Sequence, residues 1–250
     1  MNRAWLFAAF TVLALAAAVL LPAMPQPLEY HDFADQRSML GVANFLDVAS
    51  NAGFLRAGLA GLMVAMRRDT RFAHRAERWP YAVFFLGVVL TAAGSAYYHL
   101  APDNERLFWD RLPMTIAFMS LIAAQVTERI SLRAGLWLLV PMLAVGAASV
   151  VYWIATERAG AGNVIPYAAL QAYAVAALLL IALTRPSRST RGGDIYLVFA
   201  CYVAAKLLEH FDREILGLGH WVSGHTLKHF AAALAALVVA RMLLLRRPVG

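Results

Sequence analysis

Long and almost uninterrupted runs of apolar residues, separated by short polar segments, make up most of the chain. A helix needs about 20 apolar residues to cross a bilayer, whereas the strands of a membrane barrel alternate apolar and polar positions. Because the runs are long and do not alternate, we predict an all-α fold, a polytopic bundle of membrane-spanning helices. Eight spans are predicted, at residues 4–22, 42–66, 80–100, 112–129, 133–154, 164–184, 193–212 and 221–245.

The first run is open to two interpretations. Arg3 precedes it and small residues such as Ala23 follow it, which is the pattern of a cleaved signal peptide. Its apolar stretch of about 18 residues exceeds the usual 7–15 of a signal core, which favours a retained helix or signal anchor. We therefore assign residues 1–29 to an N-terminal transmembrane helix and residues 30–250 to one domain of seven transmembrane helices.

The composition supports a membrane protein over a soluble one. The chain is 61% hydrophobic and 15% charged, whereas soluble domains have roughly 45–50% apolar and about 25% charged residues. The net charge of +7 raises the question of nucleic acid. However, the basic residues lie between the apolar runs, so membrane topology explains them and no nucleic-acid partner is expected. The single cysteine, Cys201, excludes an intramolecular disulfide and a cysteine-rich metal site.

The arginines between the spans predict the orientation of the bundle, because positive residues are enriched in cytoplasmic loops. We expect a multi-pass protein of a bacterial inner membrane, with both termini in the cytoplasm. The inner segments then hold Arg3, Arg67, Arg68, Arg71, Arg75, Arg78, Arg129, Arg133, Arg185, Arg188, Arg191, Arg246 and Arg247, and the outer loops hold Arg37, Arg106, Arg111, Arg158 and Arg213.

Ionisable side chains are costly inside a bilayer, so each one is a candidate for function. His225 and His229 are spaced i, i+4 at the start of the last span, which places both imidazoles on one helix face. That spacing suits two ligands of one Zn²⁺ ion. The pattern also arises by chance, and the alternative is a pair of histidines that hydrogen-bond to neighbouring helices.

Two more polar motifs lie at predicted span ends. Ser95 and His99 are also spaced i, i+4, near the end of the third span. The alternative for them is a serine at a helix contact and an interfacial histidine. Asp110 lies just before the fourth span, where it can cap the helix if Pro113 is in the first turn.

Topology places these residues at one depth in the membrane. His99 ends an outward-running helix, whereas Asp110 and the pair His225 and His229 begin inward-running helices. Three histidines and an acid are the inventory of a catalytic zinc site, which has three protein ligands and an open position for water. We therefore predict a metal site near the outer face, periplasmic in a Gram-negative cell.

Two further polar clusters have simpler interpretations. Lys206 and Glu209 are spaced i, i+3 near the end of the seventh span, which favours an ion pair between them. A second group surrounds the start of the second span and offers oxygen ligands for a hard cation, but solvated loop residues are the favoured interpretation. Its members are His31, Asp32, Asp35 and Asp47.

Four segments resemble the alkaline ceramidase family, and more widely a superfamily of seven-helix membrane hydrolases that includes adiponectin-type receptors and hemolysin III-like proteins. The Ser-x-x-x-His, Asp and His-x-x-x-His elements are common to the superfamily. The Ser-Asn pair at 50–51 and the Leu-Pro-Met at 112–114 resemble the ceramidase branch more specifically. The resemblance covers residues 30–240, and its segments are 44–51, 94–99, 109–114 and 223–229.

The resemblance implies a role for each polar motif. It makes His99, His225 and His229 the ligands of a Zn²⁺ ion. It makes Asp110 the catalytic acid beside the zinc-bound water and Ser95 a hydroxyl near the metal. The implied reaction is zinc-dependent hydrolysis of the amide bond of ceramide or a related N-acyl lipid, into a fatty acid and a sphingoid-type amine. The alternative is a lipid-sensing receptor or lipid-binding protein of the same superfamily, with a structural zinc.

The resemblance also raises a calcium site. In animal ceramidases an acidic N-terminal stretch binds Ca²⁺, and Asp32 and Asp35 resemble its acid-aromatic-x-acid core. Arg37 and Asn44 depart from that pattern, because a ligand oxygen or an acid is expected at their positions. A membrane lipid is the only partner that the resemblance implies, and no obligate protein partner is inferred.

Overall fold

The computed structural model describes residues 4–249, and within that range the regular structure is helical, with no β-strand. This confirms the predicted all-α class. Short 3-10 turns lie at Leu28–His31 and Arg75–Glu77. The helices are α1 (Ala4–Leu20), α2 (Phe45–Ser50), α3 (Ala52–Met66), α4 (Arg78–Leu100), α5 (Asn104–Arg129), α6 (Leu132–Arg158), α7 (Ile165–Thr184), α8 (Asp194–His210), α9 (Asp212–Gly219) and α10 (Gly224–Leu245).

Six helical segments in the described part of the chain are long and apolar enough to cross a membrane. The helices α1 and α8 have 17 residues each and are shorter than these six. The chain is therefore a membrane protein by length and composition, while the count of eight spans stays a prediction. The six segments are Phe45–Met66, Arg75–Leu100, Asn104–Arg129, Leu132–Arg158, Ile165–Thr184 and Gly224–Leu245.

The start of α5 corrects the predicted boundary at residue 112. The N-cap is Asp103, whose carboxylate accepts a hydrogen bond from Arg106 N at 2.6 Å. Asp110 lies inside the helix, so the alternative that it caps the helix is wrong. Pro113 also lies inside α5 and not in its first turn. The charged residues of the first two turns interrupt the apolar run, and hydropathy alone therefore placed the start too late.

Two clusters of buried apolar side chains fill the bundle. The larger joins α3, α4, α5, α7 and α10, and the smaller joins α4, α5, α6 and α7 around Tyr98 and Trp153. Small residues let the central helices approach closely. A Cβ added to Gly87 of α4 would lie only 2.7 Å from Ala117 N of α5. Phe33 of the smaller cluster packs against two histidines, with its ring centroid 4.7 Å from that of His99 and 4.4 Å from that of His225.

The arginine-rich segments meet at one end of the bundle, which we call the arginine end. Arg246, just after α10, donates from Nη1 to Glu128 Oε2 at 3.0 Å and from Nε to Arg71 O at 3.2 Å. Arg129, the last residue of α5, donates to Arg185 O at 2.9 Å. These bonds tie four chain segments together at the end of the bundle that was predicted to be cytoplasmic.

The first helix packs along α7. The Thr11 and Tyr173 hydroxyls are 3.3 Å apart. After α1 the chain crosses the start of α7, where Val164 N donates to Met24 O at 2.8 Å. The division after residue 29 and the retention of this helix stay predictions. Arg3, which contributed to the predicted orientation, lies outside the described residues.

Candidate metal centre

Three buried histidines meet at the end of the bundle opposite the arginine end. His99 is in the last turn of α4, and His225 and His229 are in the first two turns of α10. Their exposed fractions are 1%, 5% and 2%. Each offers one ring nitrogen, and the three nitrogens lie within 4.8 Å of one another. Among the described residues, this is the one cluster of at least three His, Cys, Asp or Glu side chains with that geometry.

The spacing of His99 and His225 fits two ligands of a tetrahedral metal ion. His225 Nε2 and His99 Nε2 are 3.3 Å apart. Two metal–nitrogen bonds of about 2.0–2.1 Å at a tetrahedral angle place their nitrogens about 3.3–3.4 Å apart. The other ring nitrogen of His99, Nδ1, is buried and has no hydrogen-bond partner among the described residues. The donor set therefore suits a divalent ion with imidazole ligands.

A serine fixes the tautomer of His229. Ser50 Oγ lies 2.7 Å from His229 Nδ1, and the same hydroxyl donates its single hydrogen to Asp47 O at 3.0 Å. The hydroxyl must therefore accept a hydrogen bond from the Nδ1–H of His229. That tautomer leaves the Nε2 lone pair free for a metal, an arrangement that is usual for histidine ligands.

Asp47 is a residue that the sequence analysis misjudged. The prediction of a solvated loop acid is wrong, because its exposed fraction is zero. One carboxylate oxygen accepts a hydrogen bond from the Thr226 hydroxyl at 2.5 Å. The bond holds α2 against the first turn of α10, between the two histidines of that helix. The sequence feature that could have indicated a buried Asp47 is its position in the first turn of an apolar helix, three residues before Ser50.

A glycine brings Ser95 and Asp110 together across α4 and α5. A Cβ added to Gly94 would lie 1.9 Å from Trp109 O, so a larger residue has no space there. Ser95 and Asp110 directly follow the two residues in contact, Gly94 and Trp109, on the two helices. Ser95 is buried and Asp110 is partly buried, and both line the same cavity as His229.

The cavity extends from this polar group into the apolar interior. Its volume is about 410 Å³. Most of its walls are apolar side chains of α5, α7, α8 and α10, and Leu121, Leu178 and Val198 are among them. The cavity therefore meets the histidine cluster through His229, and it has an acid and a hydroxyl, Asp110 and Ser95, in the same wall.

Comparison with known families identifies the chain. The family model described as Ceramidase matches residues 38–245. The chain belongs to the ceramidase family. This confirms the resemblance, and all four motif segments lie inside the matched range, whereas α1 lies outside it. Membership implies amidohydrolase activity on a lipid substrate. A search of curated proteins finds no match.

An ionic cluster borders the metal centre of this ceramidase-family chain. The predicted pair of Lys206 and Glu209 is confirmed, with Nζ 2.5 Å from Oε2. Lys228 joins it, because its Nζ lies 2.7 Å from the other oxygen of Glu209. The same Nζ is 3.3 Å from His225 Nε2. The sequence analysis did not predict that Lys228 belongs to this cluster. Its position between two histidines does not reveal that its partner is an acid on α8.

The two acids proposed as calcium ligands, Asp32 and Asp35, each form an ion pair with an arginine. Arg37 Nε and Nη2 each lie 2.7 Å from an oxygen of Asp35, and this hydrogen-bonded pair lowers the pKa of Asp35. Asp32 Oδ2 lies 2.5 Å from Arg213 Nη2. Calcium needs six to eight open oxygen ligands. These residues do not fit that requirement, and the calcium site remains a prediction without structural support.

Arg37 also connects the loop before α2 to the loop before α10. Its Nη1 donates to His220 O at 2.6 Å and its Nη2 to Trp221 O at 3.0 Å. Asp212 adds a second link, because its carboxylate accepts hydrogen bonds from His225 N at 2.7 Å and Ala34 N at 2.9 Å. The start of α10 carries two of the three histidines. The hydrogen bonds of Arg37 and Asp212 therefore fix the position of that end of the helix.

Proposed function

We propose that this chain is a zinc-dependent amidase that cleaves the amide bond of ceramide or a related N-acyl lipid into a fatty acid and a sphingoid-type amine. One observation carries the proposal: three buried histidine nitrogens converge, and one of these histidines, His229, lines an apolar cavity that Asp110 also lines. Membership of the ceramidase family supports the reaction class.

His99, His225 and His229 would hold the zinc. A bound zinc ion supplies a Lewis acid that activates water and polarises the amide carbonyl. Asp110 accepts the proton of the attacking water and returns it to the nitrogen of the leaving amine, as a general base and then a general acid. A C–O bond forms and the C–N bond breaks, so the products are a carboxylic acid and an amine. Ser95 donates a hydrogen bond to the negative charge that develops on the carbonyl oxygen.

The cavity supports a substrate with a long apolar chain. Its polar end holds the reacting amide near Ser95 and Asp110, while its apolar walls bury the acyl chain between α5, α7, α8 and α10. The acyl chain moves from the apolar bilayer into an apolar cavity, so its burial changes the free energy little. The apolar walls are therefore compatible with an acyl chain, and the polar end sets the orientation of the amide.

We further propose that the site faces the outer side of the membrane. The histidines lie at the end of the bundle opposite the arginine end, which the positive-inside rule assigns to the cytoplasm. We assign residues 1–29 to a retained N-terminal helix and residues 30–250 to the seven-helix hydrolase domain. In a bacterium the protein would lie in the inner membrane with its site at the periplasmic face.

Hydrolysis of labelled ceramide by the purified protein tests this function. Asp110→Asn should retain zinc and lose about 10²–10⁴-fold in the rate of fatty-acid release, because the general base is removed. Asp103→Asn is the matched control on the same helix, since asparagine caps helices about as well as aspartate. If neither ceramide nor any other N-acyl lipid is hydrolysed although zinc is bound, the receptor alternative replaces the amidase.

A further inference from the structure

A buried arginine lines the cavity next to Asp110. Arg111 is 5% exposed, and its Nη2 donates to Gln26 Oε1 at 2.6 Å. The guanidinium carbon lies 4.2 Å from the ring centroid of Trp153, 4.7 Å from that of Tyr167 and 5.3 Å from that of Tyr30. Its Nη1 is buried and has no hydrogen-bond partner among residues 4–249. Aromatic rings and one amide therefore surround a cation that has an unused pair of donors.

The other two buried arginines of the described chain have partners that Arg111 lacks. Arg246 also contacts aromatic rings, and its Nη2 also has no hydrogen-bond partner among the described residues, but its charge is paired with two acids: Nη1 is 3.0 Å from Glu128 and Nη2 is 3.6 Å from Glu77. Arg129 has a carbonyl or amide oxygen for each of its three nitrogens. Arg111 has neither a carboxylate partner in the described chain nor a full set of acceptors. A buried charge in that state is costly, and an anionic ligand would offset the cost.

The charges around the polar end of the cavity also favour an anion. Three cations line it, Arg111, Lys206 and Lys228, and two acids oppose them, Asp110 and Glu209. Both lysines share the single acid Glu209. Arg111 is therefore the one of these three cations that forms no salt bridge with a described residue. Because it follows Asp110 on the helix, it points to a different wall of the cavity, formed by the segment before α2 and the start of α7.

We infer that Arg111 binds an anionic group of the lipid substrate, a carboxylate, phosphate or sulfonate on the amine part of the molecule. Nη1 supplies the free donors, and guanidinium groups pair well with such planar or tetrahedral anions. The preferred substrate class is then an N-acyl lipid with an acidic head group. The inference rests on the proposed amidase function, for which it specifies the head group.

Two probes of equal acyl length test this, N-palmitoylglycine with a carboxylate and N-palmitoylethanolamine with a neutral hydroxyl. We expect wild-type protein to have the higher kcat/KM for the anionic probe. Arg111→Gln should lower the ratio of kcat/KM for the anionic over the neutral probe at least about tenfold, because a charged hydrogen bond is lost. Arg111→Lys should retain more of the ratio than Arg111→Gln. Arg106→Gln, an arginine on the same helix outside the cavity, is the control.

A binding measurement separates this inference from the proposed function. The rise in melting temperature on adding each probe reports binding without hydrolysis. Selective stabilisation by N-palmitoylglycine that Arg111→Gln abolishes supports the inference even if neither probe is cleaved, in which case the amidase proposal fails alone. If wild-type protein cleaves both probes with equal efficiency and both raise its melting temperature equally, the inference is overturned and the amidase proposal stands. If Arg111→Gln does not fold, the wild-type preference and Arg111→Lys decide by the same criteria.

Discussion

At the scale of single residues, the histidine cluster depends on partners that orient its rings. His99 and His225 approach through their Nε2 atoms, while His229 is set by the Ser50 hydroxyl. Sequence spacing predicted that His225 and His229 share a face, because i and i+4 residues do so on any helix. It did not predict Ser50 or Asp47 as their neighbours, because those contacts join residues 179 positions apart.

Ser50→Ala should weaken zinc binding about 10–100-fold, the loss that follows removal of an outer-shell partner of a metal ligand. The reason is that His229 loses the acceptor that holds its Nδ1–H. Competition with a fluorescent zinc chelator measures the affinity. Ser149→Ala is a matched control, since Ser149 is also buried and donates to a carbonyl, that of Gly146, away from the cavity. Equal affinity in the two variants would show that Ser50 does not orient a ligand.

At the scale of helices, hydropathy predicted the long apolar elements and misplaced the polar ends. The start of α5 was set eight positions late because Glu105, Arg106 and Asp110 interrupt the apolar run. The short helix α9 lies almost entirely between the predicted spans 193–212 and 221–245 and was not predicted. Capping was the better signal, since Asp103 precedes the helix and accepts from its backbone. Site residues concentrate at such ends, so boundary errors mattered most there.

Gly94→Ala tests the contact that aligns α4 with α5. The added methyl would meet Trp109 O at 1.9 Å, so the helices must separate and Ser95 moves away from Asp110. Overpacking of this kind costs about 1–3 kcal/mol or more. We expect a lower melting temperature in detergent and reduced amide hydrolysis. Gly217→Ala in α9, where no atom lies within 4 Å of the added Cβ, is the control. A Gly94 variant as stable and active as the control would contradict this packing.

At the scale of the whole molecule, topology was the strongest inference from sequence. Alternating helix directions placed His99, Asp110 and His225 at one depth, and the structure brings them to one end of the bundle. The individual contacts were beyond the sequence, because the packing of α10 against α8 and α3 has no local signature. The same limit hid Lys228, whose partner Glu209 lies on α8.

The orientation in the membrane can be measured with two exposed aspartates, Asp103 beside the site and Asp69 at the arginine end. We expect Asp103→Cys, in a Cys201→Ser background, to react with a membrane-impermeant maleimide in intact cells. Asp69→Cys should react only after the cells are permeabilised, because the arginine-rich loops are assigned to the cytoplasm. The reverse pattern would place the site on the cytoplasmic face.

Removal and return of the metal tests the central claim most directly. The purified protein is stripped with a chelator, dialysed and titrated with Zn²⁺ while fatty-acid release from an N-acyl lipid is followed. We predict that activity disappears and returns fully at one zinc per chain, and that His225→Ala recovers neither zinc nor activity, because it lacks one of the three converging nitrogens. Undiminished hydrolysis by the metal-free protein, or full recovery of the His225→Ala variant, would contradict the account.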